Sequence, residues 1–429
     1  MRYERYRKTG ISWLPEVPDG WEIRRIKVLF SQRKERNDPI RTTNILSLTA
    51  AQGVVPVSEK IGAGGNKPKD DLTQYDLAYP GDLVLNCMNV VAGSVGVSNY
   101  FGAISPVYYA LVAKRFVDVL YYNNIFQMTS FQRSLLPLGK GILMHESSTG
   151  KLNTVRLRIS MNALNGVKLP FPPLKTQQEI VSLLDSKCGK IDRLVAAKEK
   201  EVALLKELKQ SMIAEAVTRG VDHKSLKVPT GVFWQPRMPI GWSVKKCRHV
   251  LQKLSRPRPQ NAELLVCTNK GTVNKRGDAK IGLVSDDETI YQGVAAGDLL
   301  IHGMDTWHGA IAVSEFDGMC TPVVHVCDSA ENKAFVAYCF QNMARGKLFK
   351  LISNGVRQNT SDFRSWEKVA RLPLVLPSRD EQDRIVAYIE ARAAKIDAAV
   401  GKLEAEVAAL KEYRERLVAD VVTGQRKVA

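Results

Sequence analysis

Residues 382–421 read QDRIVAYIEARAAKIDAAVGKLEAEVAALKEYRERLVADV. Ile389, Ile396, Leu403, Leu410 and Leu417 recur every seven residues, with Val400, Val407 and Val421 on the alternate line. A seven-residue apolar repeat predicts one long helix with a narrow seam. About forty residues is long for a globular helix, and so narrow a stripe is no core by itself. The pattern also occurs earlier: Gln177–Thr218 carries Leu184, Ile191, Leu205 and Met212 on one line and Val195, Val202 and Ala216 on the other. Pro172-Pro173 and Pro377 precede the two helices, and Gly220 and Gly424 follow them, as start and stop signals do. Lys198, Lys209 and Arg414 interrupt the seams. Two solitary surface helices are one reading. The matching heptads favour the other, that the two copies pair as a coiled coil, a rod on the order of 60 Å long at ~1.5 Å per residue that acts as a spacer; if they run antiparallel, the end of the second helix returns towards the first head.

The duplication extends beyond the helices. Thr9-Gly10-Ile11-Ser12-Trp13-Leu14-Pro15 with Pro18, Gly20 and Trp21 returns as Thr230-Gly231-Val232-Phe233-Trp234-Gln235-Pro236 with Pro239, Gly241 and Trp242. Gly81-Asp82-Leu83 with Met88, Gly93, Val97-Ser98, Gly102 and Pro106 returns as Gly297-Asp298-Leu299 with Met304, Gly309, Val313-Ser314, Gly318 and Pro322. Gln177 and Lys190-Ile191-Asp192 return as Gln382 and Lys395-Ile396-Asp397. Three blocks in one order predict two similar structural units, each pairing a globular head with a helix. The boundaries are a head at 1–173, a helix at 174–220, a head at 221–377 and a helix at 378–429.

Both heads read as mixed α and β. The apolar runs Asp82–Asn86, Val95–Ser98 and Val107–Ala113, and their partners Asp298–Ile301, Ala310–Ser314 and Pro322–Val326, predict strands between Gly, Asn and Pro turns. Tyr121–Phe131 and Asn332–Met343 have helical spacing.

The 429 residues suffice for roughly two to four domains, and the chain carries a formal charge of +18. Acidic and basic residues balance within Gln177–Thr218, so the positive excess lies in the heads, where a polyanion is held. Seven cysteines form no C-x-x-C pair, which predicts reduced thiols and a cytoplasmic setting. The first eight residues lack the apolar core of a signal peptide, and no eighteen-residue apolar run predicts a membrane partner.

Catalytic signatures are missing from the sequence. Leu138-Gly139-Lys140-Gly141 lacks the spacing and the hydroxyl of a phosphate loop, and Phe171-Pro172-Pro173 lacks the asparagine of an amino-methyltransferase tetrapeptide. Asp317 with Glu331 and Lys333 has the residue types of a metal-dependent nuclease, but the first head does not repeat them. Six scattered histidines offer no ligand-spaced pair. The expectation is no catalytic residue and no metal site.

The candidate DNA-reading residues lie on basic and polar loops. In the first head they are Arg33, Lys34 and Arg36, then Lys67 and Lys69, then Lys140 and Lys151. In the second they are Lys253, Arg256 and Arg258, then Lys270, Lys275 and Arg276, then His302 and His308, then Arg357, Gln358 and Asn359. Arg, Asn and Gln bond base edges bidentately, and Lys and Arg neutralise phosphates. A solvated loop is the plainer alternative for each alone.

The order of these blocks resembles the DNA-specificity subunit of type I restriction-modification systems, the HsdS family. Trp13-Leu14-Pro15…Pro18…Gly20-Trp21 resembles the start of the family's target-recognition domains. Pro172-Pro173-Leu174-Lys175-Thr176-Gln177-Gln178-Glu179-Ile180 is similar to the start of its helices, with Thr176 where Glu is usual. Leu376-Pro377-Ser378-Arg379-Asp380-Glu381-Gln382-Asp383-Arg384-Ile385 matches again, with Ser378-Arg379 where Pro-Leu is usual. The resemblance implies an α+β fold: two pseudo-repeated mixed α/β target-recognition domains separated by a long antiparallel two-helix coiled coil. It implies double-stranded DNA with a bipartite target as ligand, two modification subunits and restriction/translocase subunits as partners, and no membrane. It implies no cofactor on this chain, with S-adenosylmethionine, ATP and Mg²⁺ belonging to partner subunits. A self-contained DNA-modifying or DNA-cleaving enzyme is the alternative.

Overall fold

In the first head β1 (Phe30–Gln32), β2 (Leu83–Asn86), β3 (Val95–Val97) and β4 (Tyr108–Ala113) form one antiparallel sheet in the order β1-β4-β2-β3. The computed structural model describes residues 2–49, 52–61, 71–142, 156–222, 225–277, 288–352 and 363–428. Leu83, Val84 and Leu85 are all fully buried, because the sheet is covered on both faces. Leu83 and Leu85 join the main core, whereas Val84 joins Leu46, Val54, Ala78, Ile104 and Ala110 in a second cluster. A period of two sends alternate residues to opposite faces, so a continuous apolar run is what a strand covered twice requires.

α1 (Val119–Gln127) follows, capped by Asp118, whose carboxylate accepts from the Leu120 and Tyr121 N–H groups. The expected Tyr121–Phe131 helix breaks at Met128, where the backbone is extended. The break turns Phe131 back edge-on to Phe126 and Trp13, at 5.1 and 4.8 Å between ring centres. Next, α2 (Leu174–Arg219) begins directly behind Pro173.

The second head repeats the plan. β5 (Gln252–Lys253), β6 (Leu299–His302), β7 (Ile311–Val313) and β8 (Val324–Asp328) form a sheet in the order β5-β8-β6-β7. Leu299 opposes Val313 as Leu83 opposes Val97. Leu299 and Ile301 face the main core and Leu300 the smaller cluster. α3 (Lys333–Arg345) is capped by Asn332, and α4 (Arg379–Val422) is the second long helix.

By its contacts the chain divides into two units, Met1–Lys198 with Ala405–Ala429, and Glu199–Glu404. Each unit holds one head and a stretch of both long helices. In the first, Leu184, Cys188, Ile191 and Val195 of α2 share a core with Val407, Leu417 and Val421 of α4. Asp192 meets Arg414 at 2.7 Å and Lys198 meets Glu406 at 2.5 Å, so rising numbers in α2 meet falling numbers in α4. In the second, Lys206 meets Glu404 at 2.8 Å and Lys209 meets Asp397 at 2.6 Å, again antiparallel. The three cations that interrupt the apolar seams are therefore interhelical partners. Exposed pairs contribute ~0–1 kcal/mol each, so the apolar seam holds the pair and the charges select its register.

The repeated glutamine joins head to helix. Gln177 is fully buried; its Oε1 accepts from the Asp118 N–H at 2.8 Å, and its Nε2 donates to the Phe116 and Pro172 carbonyls. Gln382 does the same with the Asn332 N–H at 2.9 Å and the Pro377 carbonyl. In both heads one side chain thus ties the cap of the short helix to the first turn of the long one.

Candidate nucleic-acid interface

The Gly-Asp-Leu blocks are the frame of this surface. Gly81 and Gly297 have φ of +90° and +88°, which a residue with a Cβ rarely adopts, and they place the following aspartate under the turn. Asp82 is buried; its Oδ2 accepts from the Tyr79 N–H at 2.9 Å, and its two oxygens receive the Arg33 guanidinium at 2.7 and 2.9 Å. Asp298 accepts from the Ala295 N–H at 2.7 Å and from both terminal nitrogens of Arg256. A buried carboxylate needs such partners, because an unpaired one carries a large desolvation cost. The hydrogen bonds to these carboxylates raise the pKa of both arginines against burial.

The two arginines reach their aspartates from different registers. The Arg33 N–H donates to the Ala110 carbonyl, and in the second head the Leu254 N–H donates to Val326. The Glu35 carbonyl accepts from the Leu77 N–H, and the Arg256 carbonyl from Gly293. Arg33 therefore corresponds to Leu254, and Arg256 to Glu35. Positions two apart on an extended chain share a face, so either can deliver an arginine to the same carboxylate. Arg33 and Arg256, expected from sequence as DNA contacts, each bond a buried aspartate through two of their nitrogens.

Among the other expected residues, Lys34, Lys140, Lys253 and Lys270 are exposed, and Arg258 lies exposed on the segment after Arg256. Arg36 is exposed beside Asp76 and donates to the Gln74 carbonyl. Lys275 pairs with Glu263 at 3.2 Å and lies over the Phe316 ring, and Arg276 next to it is half-buried. His308 is exposed against Trp307, with ring centres 4.1 Å apart. His302 is turned inward: its Nδ1 accepts from the Asp305 N–H at 3.0 Å, as Asn86 Oδ1 accepts from Met88 in the first head. Burial lowers its pKa, against the raising effect of Asp305. Its Nδ1 thus helps form the turn. Lys67, Lys69, Lys151, Arg357, Gln358 and Asn359 lie outside the described residues.

Sequence reading missed Arg41, Tyr79 and Phe101. Arg41 donates to the Glu35 carboxylate and, at 2.9 Å, to the Tyr79 hydroxyl; Tyr79 and Phe101 are ring neighbours at 4.8 Å. Their spacing along the chain carries no motif. Only the fold brings them to Arg33, which lies 4.3 Å from the Tyr79 ring centre.

The nuclease-like trio does not assemble. Asp317 accepts from the Ala296 N–H, Glu331 binds Lys245 and Gln382, and Lys333 binds Asp328. Among the described residues no three His, Cys, Asp or Glu side chains cluster as metal ligands, and no helix is long and apolar enough to cross a membrane. All seven cysteines are buried, and burial pushes the thiols of Cys267, Cys320 and Cys327 up to about 12, which keeps them protonated.

Two heads built on the same strand plan, each packed with stretches of both long helices, define a duplicated α+β fold. No family model matches the chain. A putative type I restriction enzyme MjaX specificity subunit of Methanocaldococcus jannaschii is 23% identical over 236 residues, covering 52% of this chain and 51% of that protein. The match thus spans about half the length of this curated relative. Among solved structures, a chain of a type I restriction-modification system, studied for complex assembly and conformational transition, matches with a TM-score of 0.68 at 13% identity, covering 95% of this chain and 98% of that one. The HsdS subunit of Thermoanaerobacter tengcongensis matches with a TM-score of 0.51 at 13% identity, covering 96% and 98%. In sequence and in fold the chain resembles type I specificity subunits, and its fold is theirs.

Proposed function

We propose that this chain is the non-catalytic DNA-specificity subunit of a type I restriction-modification complex. Each head reads one half of a bipartite duplex target, and the helix pair sets the unread gap. Two modification subunits dock on the chain and restriction/translocase subunits complete the assembly. S-adenosylmethionine, ATP and Mg²⁺ bind those partners. One observation carries the reading: the heads share a frame but present different side chains on it. Where the first has Glu35, Tyr79 and Phe101, the second has Arg256, Ala295 and Asp317. A common scaffold with divergent surface residues is what two different half-sites demand. Lys34, Arg36 and Lys140 in the first head, and Lys253, Arg258 and Lys270 in the second, supply exposed cations for the phosphates.

Replacing 221–377 with the corresponding head of a relative tests this. One half of the methylated target should change while the other stays. A swap that alters both halves, or a folded swap with no sequence preference, counts against it. Pure chain incubated with DNA, S-adenosylmethionine and Mg²⁺ should neither methylate nor cleave.

A further inference from the structure

The first head carries an anion seat that its own Glu35 fills. Arg41 Nη1 donates to Glu35 Oε1, and Tyr79 Oη donates to the same oxygen at 3.1 Å. Arg33 Nη1 lies 3.6 Å from Glu35 Oε2, its other nitrogens being held by Asp82. One carboxylate is thus held by two guanidiniums and a phenol, with the half-buried rings of Tyr79 and Phe101 beneath. Arg41 is 47% exposed and Glu35 34%, so the seat opens to solvent. Arginine forks bond carboxylate and phosphate oxygens in the same geometry, and a phosphate brings more charge and more acceptors.

Among the described residues the second head has no such arrangement. Arg256 stands where Glu35 does, and Ala295 and Asp317 replace Tyr79 and Phe101. The seat is therefore no requirement of the shared frame, which folds without it.

We infer that Arg41, Tyr79 and the outer edge of Arg33 form a seat for a DNA backbone phosphate, and that Glu35 occupies it until duplex displaces it. This deepens the specificity-subunit reading and rests on it. The Glu35 side chain acts as a built-in competitor, weakening attachment to any duplex that does not bring its phosphate into register. An internal anion in this seat raises the threshold for the first head, whereas at the matching position of the second head Arg256 replaces Glu35.

A double-mutant cycle tests the seat, with the full chain and a mixed-sequence duplex across a salt series. Glu35→Gln should tighten binding severalfold and steepen the salt slope by about one unit, the signature of one more phosphate contact. Arg41→Ala should weaken binding. In the Arg41→Ala background the gain from Glu35→Gln should vanish, because the seat is gone. A gain that persists there is a general charge effect and overturns the inference, as does a cycle with no change in affinity or slope. Tyr79→Phe keeps the ring over Arg33 and removes the hydroxyl, so it weakens the Glu35→Gln gain even if Arg41→Ala fails to fold; an undiminished gain overturns the seat. No duplex binding by the unaltered chain overturns this and the specificity-subunit reading together, whereas normal binding with a flat cycle overturns this alone.

Discussion

The phenolic hydroxyl of Tyr6 donates to the backbone carbonyl of Gly424 at 2.8 Å. Arg2 adds a bond to Gln425 at 2.9 Å, so residues from the two ends of the chain meet within one unit. Gly424 ends α4 with φ of +75°, and a Cβ there would lie 2.5 Å from Pro18 and 3.1 Å from Trp21. Gly220 ends α2 with φ of +73° and has Trp242 as a close neighbour. Each long helix thus stops on a glycine under the tryptophan of a head, covalently joined in one case and only packed in the other.

Circular permutation follows from that arrangement. Joining Ala429 to Met1 through a short Gly/Ser linker and opening the chain between Asp222 and His223 converts the packed junction into the covalent one and the reverse. Permutation is tolerated where ends are adjacent and the new break is exposed, as Asp222 is. The permuted chain should unfold cooperatively near the original temperature and keep duplex affinity. Aggregation, or loss of cooperative unfolding, would count against the shared design of the two junctions.

The arginine–aspartate pairs make a separate prediction about stability. Arg33→Ala leaves Asp82, whose side chain is 3% exposed, without its cation, and should cost about 1–3 kcal/mol, the penalty for an unsatisfied buried group. Arg256→Ala should do the same to the second head through Asp298. Lys34→Ala and Lys253→Ala, on exposed side chains, should leave urea midpoints unchanged while flattening the salt dependence of DNA binding. If Arg33→Ala spares stability, the bond to Asp82 does not hold this turn and the structural assignment of the pair fails.

These contrasts mark what was legible in the chain. The long helices were, because heptads leave a periodic record, and so was their pairing, because both copies carry the pattern; the antiparallel direction shows only in the ion pairs. Lys198, Lys209 and Arg414 could be seen as breaks in a pattern, but Glu406, Asp397 and Asp192 could not be matched to them without the register. Gly-Asp-Leu was visible as a repeat. Its role was not, since Arg33 lies 49 residues from Asp82 and Arg256 comes from another register. The reading surface left no motif because the heads differ there, and Arg41, Tyr79 and Glu35 are neighbours only in the folded sheet.

Acid should strike the second head first. Burial lowers the pKa of His302 and of His325, opposed by Asp305 in one case and by a bond to the Phe363 carbonyl in the other. A histidine with a lowered folded pKa contributes stability that is complete above the unfolded value, near 6.5, and is lost as pH falls through that value towards the folded one. His302→Asn imports the residue of the first head, where Asn86 accepts the Met88 N–H within the corresponding turn. The variant should fold at neutral pH and lose less stability than the parent as pH falls below 6.5. Urea midpoints with the same pH dependence in both proteins would remove His302 from this account.

The helix pair sets the last expectation. Lys198 meets Glu406 in one unit and Lys206 meets Glu404 in the other. One heptad inserted between Glu199 and Val202, with another between Glu404 and Val407, keeps both apolar seams in phase and adds ~10 Å. Inserting into one helix alone shifts its cations past their partners and should lower the unfolding temperature. With both insertions the interhelical pairs on either side stay matched, so stability should be kept. The gap between half-sites should then grow by roughly three base pairs, at ~3.4 Å of rise each. Mapping methylated bases in a host carrying each version measures that gap directly. A folded double insertion that methylates with the original gap would show that something other than the helix pair sets the distance.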